Sequence, residues 1–154
     1  MRIAFVQDKI QFAVPMGTAL IAGNLRDGDH EVDLFVVENK LEKTLQELKR
    51  YKPDIIGFSV ISGSHQGYIK IAQRIKDRLN IPILWGGPHV TFFPKIIEED
   101  YADVVCVGEG EDAVLEFANA FDLDSIVMPL IKRSSVPIKN CPDAPADETL
   151  PTSS

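Results

Sequence analysis

Three short stretches of this sequence carry the residues best suited to holding a ligand. They are Ser59-Val60-Ile61-Ser62-Gly63-Ser64-His65-Gln66-Gly67, Gly86-Gly87-Pro88-His89-Val90-Thr91 and Gly108-Glu109-Gly110-Glu111. Glycine has no Cβ, so backbone N–H and C=O groups there can approach a bound molecule closely. Serine and threonine hydroxyls add donors and acceptors, and a helix opening after such a loop favours acceptors or anions at its N-terminus. The chemistry is recognition of a polar molecule. Glu109, Glu111 and His89 are groups capable of acid–base work around one crevice, but no nucleophile–base pair accompanies them. Any one of these stretches alone reads as a tight turn. Three of them leaving the same side of a sheet point to a ligand.

Simpler ligands fail on particular residues. A dinucleotide site needs GxGxxG after the first strand, where this chain has Gln7-Asp8-Lys9-Ile10-Gln11-Phe12. The Gly108-Glu109-Gly110 run contains GxG, but it follows the last strand and lacks the third glycine. There is no P-loop, and Ser59 stands where a phosphoacceptor aspartate would end the third strand. The two cysteines, Cys106 and Cys141, have no metal spacing and form no CxxxCxxC. Cys106 lies in an apolar strand and reads as a small core residue.

The elements that must position these stretches follow one rhythm, a short apolar run, a loop, then a segment of helical period. Ile3 to Val6 is the first strand, and a long loop from Gln7 to Pro15 leads to a helix over about Met16 to Arg26. Val32 to Val37 is the second strand; Leu41, Leu45 and Leu48 then mark one face of a charged helix. The third strand is Ile55 to Ser59, followed by a helix carrying Tyr68, Ile71, Ala72, Ile75 and Leu79. Ile83 to Trp85 is the fourth strand, with a short helix around Pro94 to Glu99 before the fifth, Val104 to Val107. Val114, Phe117, Ala118 and Phe121 give the last helix its buried stripe.

Strands alternating with helices mean βαβ units and a parallel sheet covered on both faces. Near-continuous apolar strands agree with that burial. The expected fold is a single doubly wound α/β domain, flavodoxin- or Rossmann-like, with five parallel strands in the order 2-1-3-4-5. Ligands of such sheets sit beyond the carboxyl ends of the strands, where the three glycine-rich stretches emerge. The opposite edge is turned by Asp27-Gly28, Pro53-Asp54 and Asn80-Ile81-Pro82. Ile126 to Ile131 is a further strand candidate, and Asn140 to Ser154 reads as disordered tail.

With the elements assigned, three segments take on a joint meaning. Gly57-Phe58-Ser59, the run from Trp85 to Pro94 with its GGxHxT core, and Asp103 to Glu111 ending in GEGE resemble the N-terminal cobalamin-binding domain of radical SAM enzymes. The resemblance covers about residues 1–121, including the Gly17 to Leu25 helix and the turn Gly28-Asp29-His30-Glu31-Val32. It implies that the corrin ring lies across the strand ends, against the first loop and Ser59, Val60, Ile61, Ser62 and Gly63. Gly86, Gly87, Pro88 and Thr91 are implied to line the side where the nucleotide tail enters, with His89 in the same set. Gly108, Glu109, Gly110 and Glu111 are implied to complete the rim, Glu109 as a hydrogen-bond acceptor. Ala19, Ala22 and Gly23 on the first helix are small and are expected to leave room for the tail.

Two departures shape the expectation. Cobalamin proteins of the mutase type carry DxHxxG after the first strand, and its histidine binds cobalt; here Asp8 is followed by Lys9, Ile10 and Gln11. No residue is therefore assigned as a metal ligand. His65 and His89 are given hydrogen-bonding or surface roles, and His30 a structural one. The catalytic domain, with its iron–sulfur cluster and S-adenosylmethionine, is absent from these 154 residues. No catalytic residue is assigned, and the chain is expected to hold cobalamin for methyl transfer or radical chemistry performed by a radical SAM domain in cis or in trans. Residues 122–154 then form a C-terminal extension, a stub of that missing domain. The alternatives are a small stand-alone enzyme and a ligand-free interaction domain.

Bulk properties fit. A chain of this length buries roughly 70% of its unfolded surface, so no disulfide or metal staple is needed. Forty-five per cent hydrophobic and 25% charged residues are ordinary for a globular domain. A net charge of -7 disfavours nucleic acid and anionic membranes, both of which attract basic patches. Apolar runs fall far short of the ~20 residues that span a bilayer, and Met1 to Val6 runs straight into Gln7 and Asp8 rather than reading as a signal peptide. A cytoplasmic location is expected.

Overall fold

A computed structural model describes residues 1–8, 16–38 and 40–121. The chain runs β1 (Arg2–Asp8), α1 (Met16–Asp27), β2 (Glu31–Val37), α2 (Leu41–Tyr51), β3 (Ile55–Ser59), α3 (His65–Leu79), β4 (Ile83–Gly86), α4 (Pro88–Phe92), a 3-10 helix (Pro94–Glu98), β5 (Val104–Val105) and α5 (Glu111–Ala120). The five strands are all parallel, in the order β2-β1-β3-β4-β5.

Side chains alternate across a strand, so neighbouring residues of each apolar run feed opposite faces. Ala4 and Val6 of β1, Ile56 and Phe58 of β3 and Trp85 of β4 pack with Leu45 and Leu48 of α2 and with Tyr68, Ile71 and Ile75 of α3. Ile3 and Phe5, Ile55 and Leu84 pack instead with Leu25 of α1 and with Val114 and Ala118 of α5. Burial on both sides is why the middle strands are apolar throughout. The edge strand β2 keeps only Val32 and Val37 buried. Burying a side chain of this size contributes roughly 1.5–3 kcal/mol, so these two layers dominate the stability of the sheet.

The edge where the strands begin is closed by turns and by ion pairs, one of them from Arg2 Nε to Glu31 Oε2 at 2.6 Å across the starts of β1 and β2. Lys52 and Asn80 take left-handed φ values of 55° and 51° at the ends of α2 and α3. Between α3 and β5, Lys76 Nζ meets Asp103 Oδ2 at 2.5 Å, both side chains less than a fifth exposed. The same oxygen accepts a 2.7 Å bond from Ile83 N, fixing the start of β4. His30 bridges the N-terminal amine of Met1 and Asn119 Oδ1 on this edge, the structural role expected of it. Replacing Asp103 with alanine leaves the half-buried Lys76 ammonium and the Ile83 N–H without this partner. The expected cost is about 1–3 kcal/mol, measured by chemical denaturation.

Two elements differ from the sequence expectation. Pro88–Phe92 is a helix, where a loop was expected. Pro88 sits in the first turn, where its missing N–H costs nothing, and Val90 is fully buried beneath it. β5 is shorter than Val104 to Val107. Cys106 N still bonds Trp85 O at 2.8 Å, but the Gly108 N–H is drawn to Thr91 Oγ1 and the ladder ends. The expectations for Ile126 to Ile131 and for the tail fall outside the described residues. Among the described residues no helix is long and apolar enough to cross a membrane.

Candidate functional site

The site begins where β3 and β4 end level with each other, Ser59 beside Gly86. The ladder continues past both strands. Val60 N donates to Gly86 O at 2.8 Å and His89 N donates to Val60 O at 2.9 Å. Gly87 lies between these bonds with φ +95°, and a Cβ added there would stand 2.6 Å from Val60 N. Only glycine fits a backbone folded this tightly against its neighbour. Thr91 then ties two loops together, donating from Oγ1 to Gly87 O at 3.2 Å and accepting from Gly108 N at 3.0 Å.

These loops form the mouth of a cavity of about 590 Å³ between the sheet and the helices α1 and α5. Its wall is apolar, made by Phe5, Phe58, Leu84, Cys106, Ile21 and Val114. Ser59, Gly86, Gly87, Pro88, Thr91, Gly108, Glu109, Gly110 and Glu111 from the three sequence stretches all line it, with Gly17 and Phe92. Among the described residues no lysine or arginine does. An apolar chamber with a polar, glycine-rich mouth suits a ligand with one apolar end and several amide or hydroxyl groups.

The remaining expected site residues do not line the cavity. The Val60 side chain is fully buried in the layer beneath α3, and its N–H and C=O are taken by the bonds above. Ile61, Ser62 and Gly63 form an exposed turn, closed by Ser64 Oγ donating to Ile61 O at 3.0 Å. His89 turns toward that loop, with Nδ1 3.3 Å from Ser62 Oγ. Its ring stacks on His65 at 4.5 Å between centroids. Burial pushes the His89 pKa below the usual histidine value, and the neighbouring His65 ring pushes it the same way. Among the described residues two buried side-chain polar atoms have no hydrogen-bond partner, Gln7 Oε1 near the end of β1 and His65 Nδ1 at the start of α3.

Of the small residues on α1, Ala19 and Ala22 face a separate cavity of about 240 Å³ beside β2, and Gly23 lines neither cavity. The α1 residues that border the large cavity are Gly17 and Ile21. They lie one turn apart, with Leu25 a further turn on, and this i, i+4, i+8 stripe was the available signal. Cys106, read as a core residue, is buried and also forms part of the cavity wall.

Known proteins agree with this architecture. The model of the B12 binding domain family matches residues 11–118. The uncharacterized methyltransferase PH0819 of Pyrococcus horikoshii is 32% identical over 114 residues, 69% of this chain and 24% of that protein. The anaerobic magnesium-protoporphyrin IX monomethyl ester cyclase of Cereibacter sphaeroides is 28% identical over 120 residues, 72% of this chain and 19% of the cyclase. The chain thus spans less than a quarter of the length of either curated relative. Among solved structures, the cobalamin-dependent S-adenosylmethionine radical enzyme OxsB with aqua-cobalamin bound superposes with a TM-score of 0.62 at 23% identity, over 79% of this chain and 19% of OxsB. A cobalamin-binding protein from Desulfitobacterium hafniense gives 0.62 at 15% identity, over 79% of this chain and 59% of that one. At such identities the structures establish a shared fold. The family match extends over most of the chain, across the strand order and glycine-rich edge described above, and this chain belongs to the B12 binding domain family, whose cofactor is cobalamin.

Proposed function

We propose that this domain holds cobalamin over the C-terminal ends of its strands, with the nucleotide tail in the cavity between the sheet and α1 and α5, for use by a radical SAM catalytic domain in cis or in trans. The observation that carries the reading is the 590 Å³ apolar cavity opening through a glycine-rich mouth. The residues present fit the cofactor. The cavity is apolar where a planar aromatic base needs burial, Gly87 lets the loops after β3 and β4 meet with no Cβ between them, and Gln7 Oε1 is a buried acceptor without a partner at the strand ends.

Roles for the chain's own residues follow. Phe5, Leu84 and Val114 would pack on the tail, while Ser59, Gly86, Gly87, Pro88 and Thr91 would hold its entrance. Gly108, Glu109, Gly110 and Glu111 would close the rim, with the exposed Glu109 carboxylate accepting hydrogen bonds from amide arms. Ile61, Ser62, Gly63 and His89 would border the ring itself. Val60 contributes by holding the two loops in register. When bound, cobalamin supplies the cobalt centre for methyl transfer or radical chemistry, and the protein supplies position and environment. The names of PH0819 and of the cyclase, and the radical enzyme OxsB, support a catalytic partner of this kind.

Trp85 gives a direct test. It is the single tryptophan, fully buried one residue before the Gly86-Gly87 mouth. Added hydroxocobalamin is expected to quench its fluorescence saturably and to remain with the protein through desalting, read as corrin absorbance. Loss of all corrin absorbance on desalting, under both oxidising and reducing conditions, would falsify the reading.

A further inference from the structure

The two histidines of the ligand edge form a unit that the cavity does not use. Their rings lie nearly parallel, 10° apart at 4.5 Å, and His89 also rests against Phe93 at 4.9 Å. His65 opens α3, and His89 sits in the first turn of α4. The stack therefore joins the loop leaving β3 to the loop leaving β4, and Ser62 Oγ at 3.3 Å from His89 Nδ1 extends it into the exposed turn. Both rings are half-buried.

We propose that His65 and His89 form a proton-operated latch across the ligand edge, closed while the rings are stacked without like charges and opened by protonation, so that cobalamin is held less tightly as pH falls. The proposal rests on the cobalamin reading above for its ligand, and on the geometry of the pair for its switch. Two positive rings at this separation repel strongly in a partly desolvated site. The neutral His65 ring accepts from Gln66 Nε2 at its own Nε2, and a proton added to that nitrogen would remove this bond. The other side chains in contact with the two rings are uncharged. Ser62 comes from the β3–α3 loop and Phe93 from the end of α4, and Gln66 meets His65 Nε2 at 3.2 Å. Charged and titratable groups around α3 include the Asp8 carboxylate beside Gly67, Tyr68 on α3 itself, and Arg74 of α3 paired with Glu42 of α2 at 3.0 Å.

The sign follows from the direction of the His89 shift. A histidine whose pKa is lowered by folding contributes stability above its unfolded value of about 6.5, and that contribution is lost as pH falls through the folded value. Opening thus belongs to the mildly acidic range. The segment released is the Ile61–Ser64 turn, because the Val60 backbone bonds to Gly86 and His89 do not titrate.

The test uses the whole chain and cyanocobalamin, whose own ligands do not titrate over the range. Affinity is expected to fall about tenfold or more between about pH 7.5 and about pH 5.5, and to stay flat in His65→Phe, which keeps a ring but removes one of the two coupled charges. His65→Gln serves as a second variant, with circular dichroism to confirm the fold. In parallel, imidazole carbon resonances of the two histidines are expected to titrate in two separated steps. A pH-independent affinity, an equally steep fall in both variants, or two independent titrations at an ordinary histidine midpoint would each overturn the latch. If no corrin is retained at any pH, the cobalamin reading fails, while the separated titration steps still decide whether the pair is coupled.

Discussion

Gly87→Ala is expected to destabilise the domain by about 2–4 kcal/mol and to lower its thermal midpoint by roughly 10 °C. The backbone there has φ +95° and ψ 175°, a region essentially reserved for glycine, which alone costs about 1–3 kcal/mol for another residue. The new Cβ would then stand 2.6 Å from Val60 N and 2.7 Å from Val60 O. Neither atom is free to move, since one donates to Gly86 O and the other accepts from His89 N. Relief requires prising apart the loops after β3 and β4, which destroys the mouth of the cavity. Corrin retention should therefore fall with stability. Gly63→Ala is the control. Its φ is +97°, but nothing lies within 4 Å of the added Cβ, so it carries the conformational cost without the collision. Paired urea melts of the two variants separate these effects, and equal losses would show that backbone conformation alone is at stake.

The same contrast explains what the sequence could reveal of this site. Glycine-rich stretches after β3, β4 and β5 were legible because a missing side chain at a strand end has a short list of causes. Parallel strands were legible because burial on both faces writes an unbroken apolar run. The short helix α4 was not, since five residues span less than two turns and show no period; Pro88 and the burial of Val90 decide it. Nor was the cavity wall. Phe5, Ile21 and Leu84 look the same in a sequence whether they meet another side chain or empty space. The choice among α1 residues failed for a related reason. Ala19 and Ala22 are small, but Ala19 lies two residues from both Gly17 and Ile21, and Ala22 one residue past Ile21, which puts both on another side of the helix. How a helix is rotated on its sheet depends on packing from distant parts of the chain, here α5 and β2. Val60 shows the limit at a single position. Its place in a loop suggested a ligand contact, yet its side chain is core and its backbone is the seam between two loops.

Gly17→Trp is expected to abolish cobalamin retention while leaving the fold intact, with affinity reduced at least about 100-fold, or about 2.7 kcal/mol. Gly17 borders the large cavity, and nothing lies within 4 Å of a Cβ added to it. The room around that Cβ leaves an indole free to extend into space that the proposed tail would fill. Removing a glycine from a helix favours folding by up to roughly 0.5–1 kcal/mol, so the variant should melt no lower than the parent. That separation between binding and stability is what a cavity ligand predicts and a surface ligand does not. Cobinamide, which lacks the nucleotide tail, sharpens the comparison. It should bind parent and variant alike, because the substitution touches the cavity and not the loops over β3 and β4. Equal loss of both corrinoids would place the ring, rather than the tail, beside α1. Unchanged cobalamin binding would leave the cavity outside the binding site. Only loss of cobalamin with cobinamide spared assigns the chamber between the sheet and α1 and α5 to the nucleotide tail.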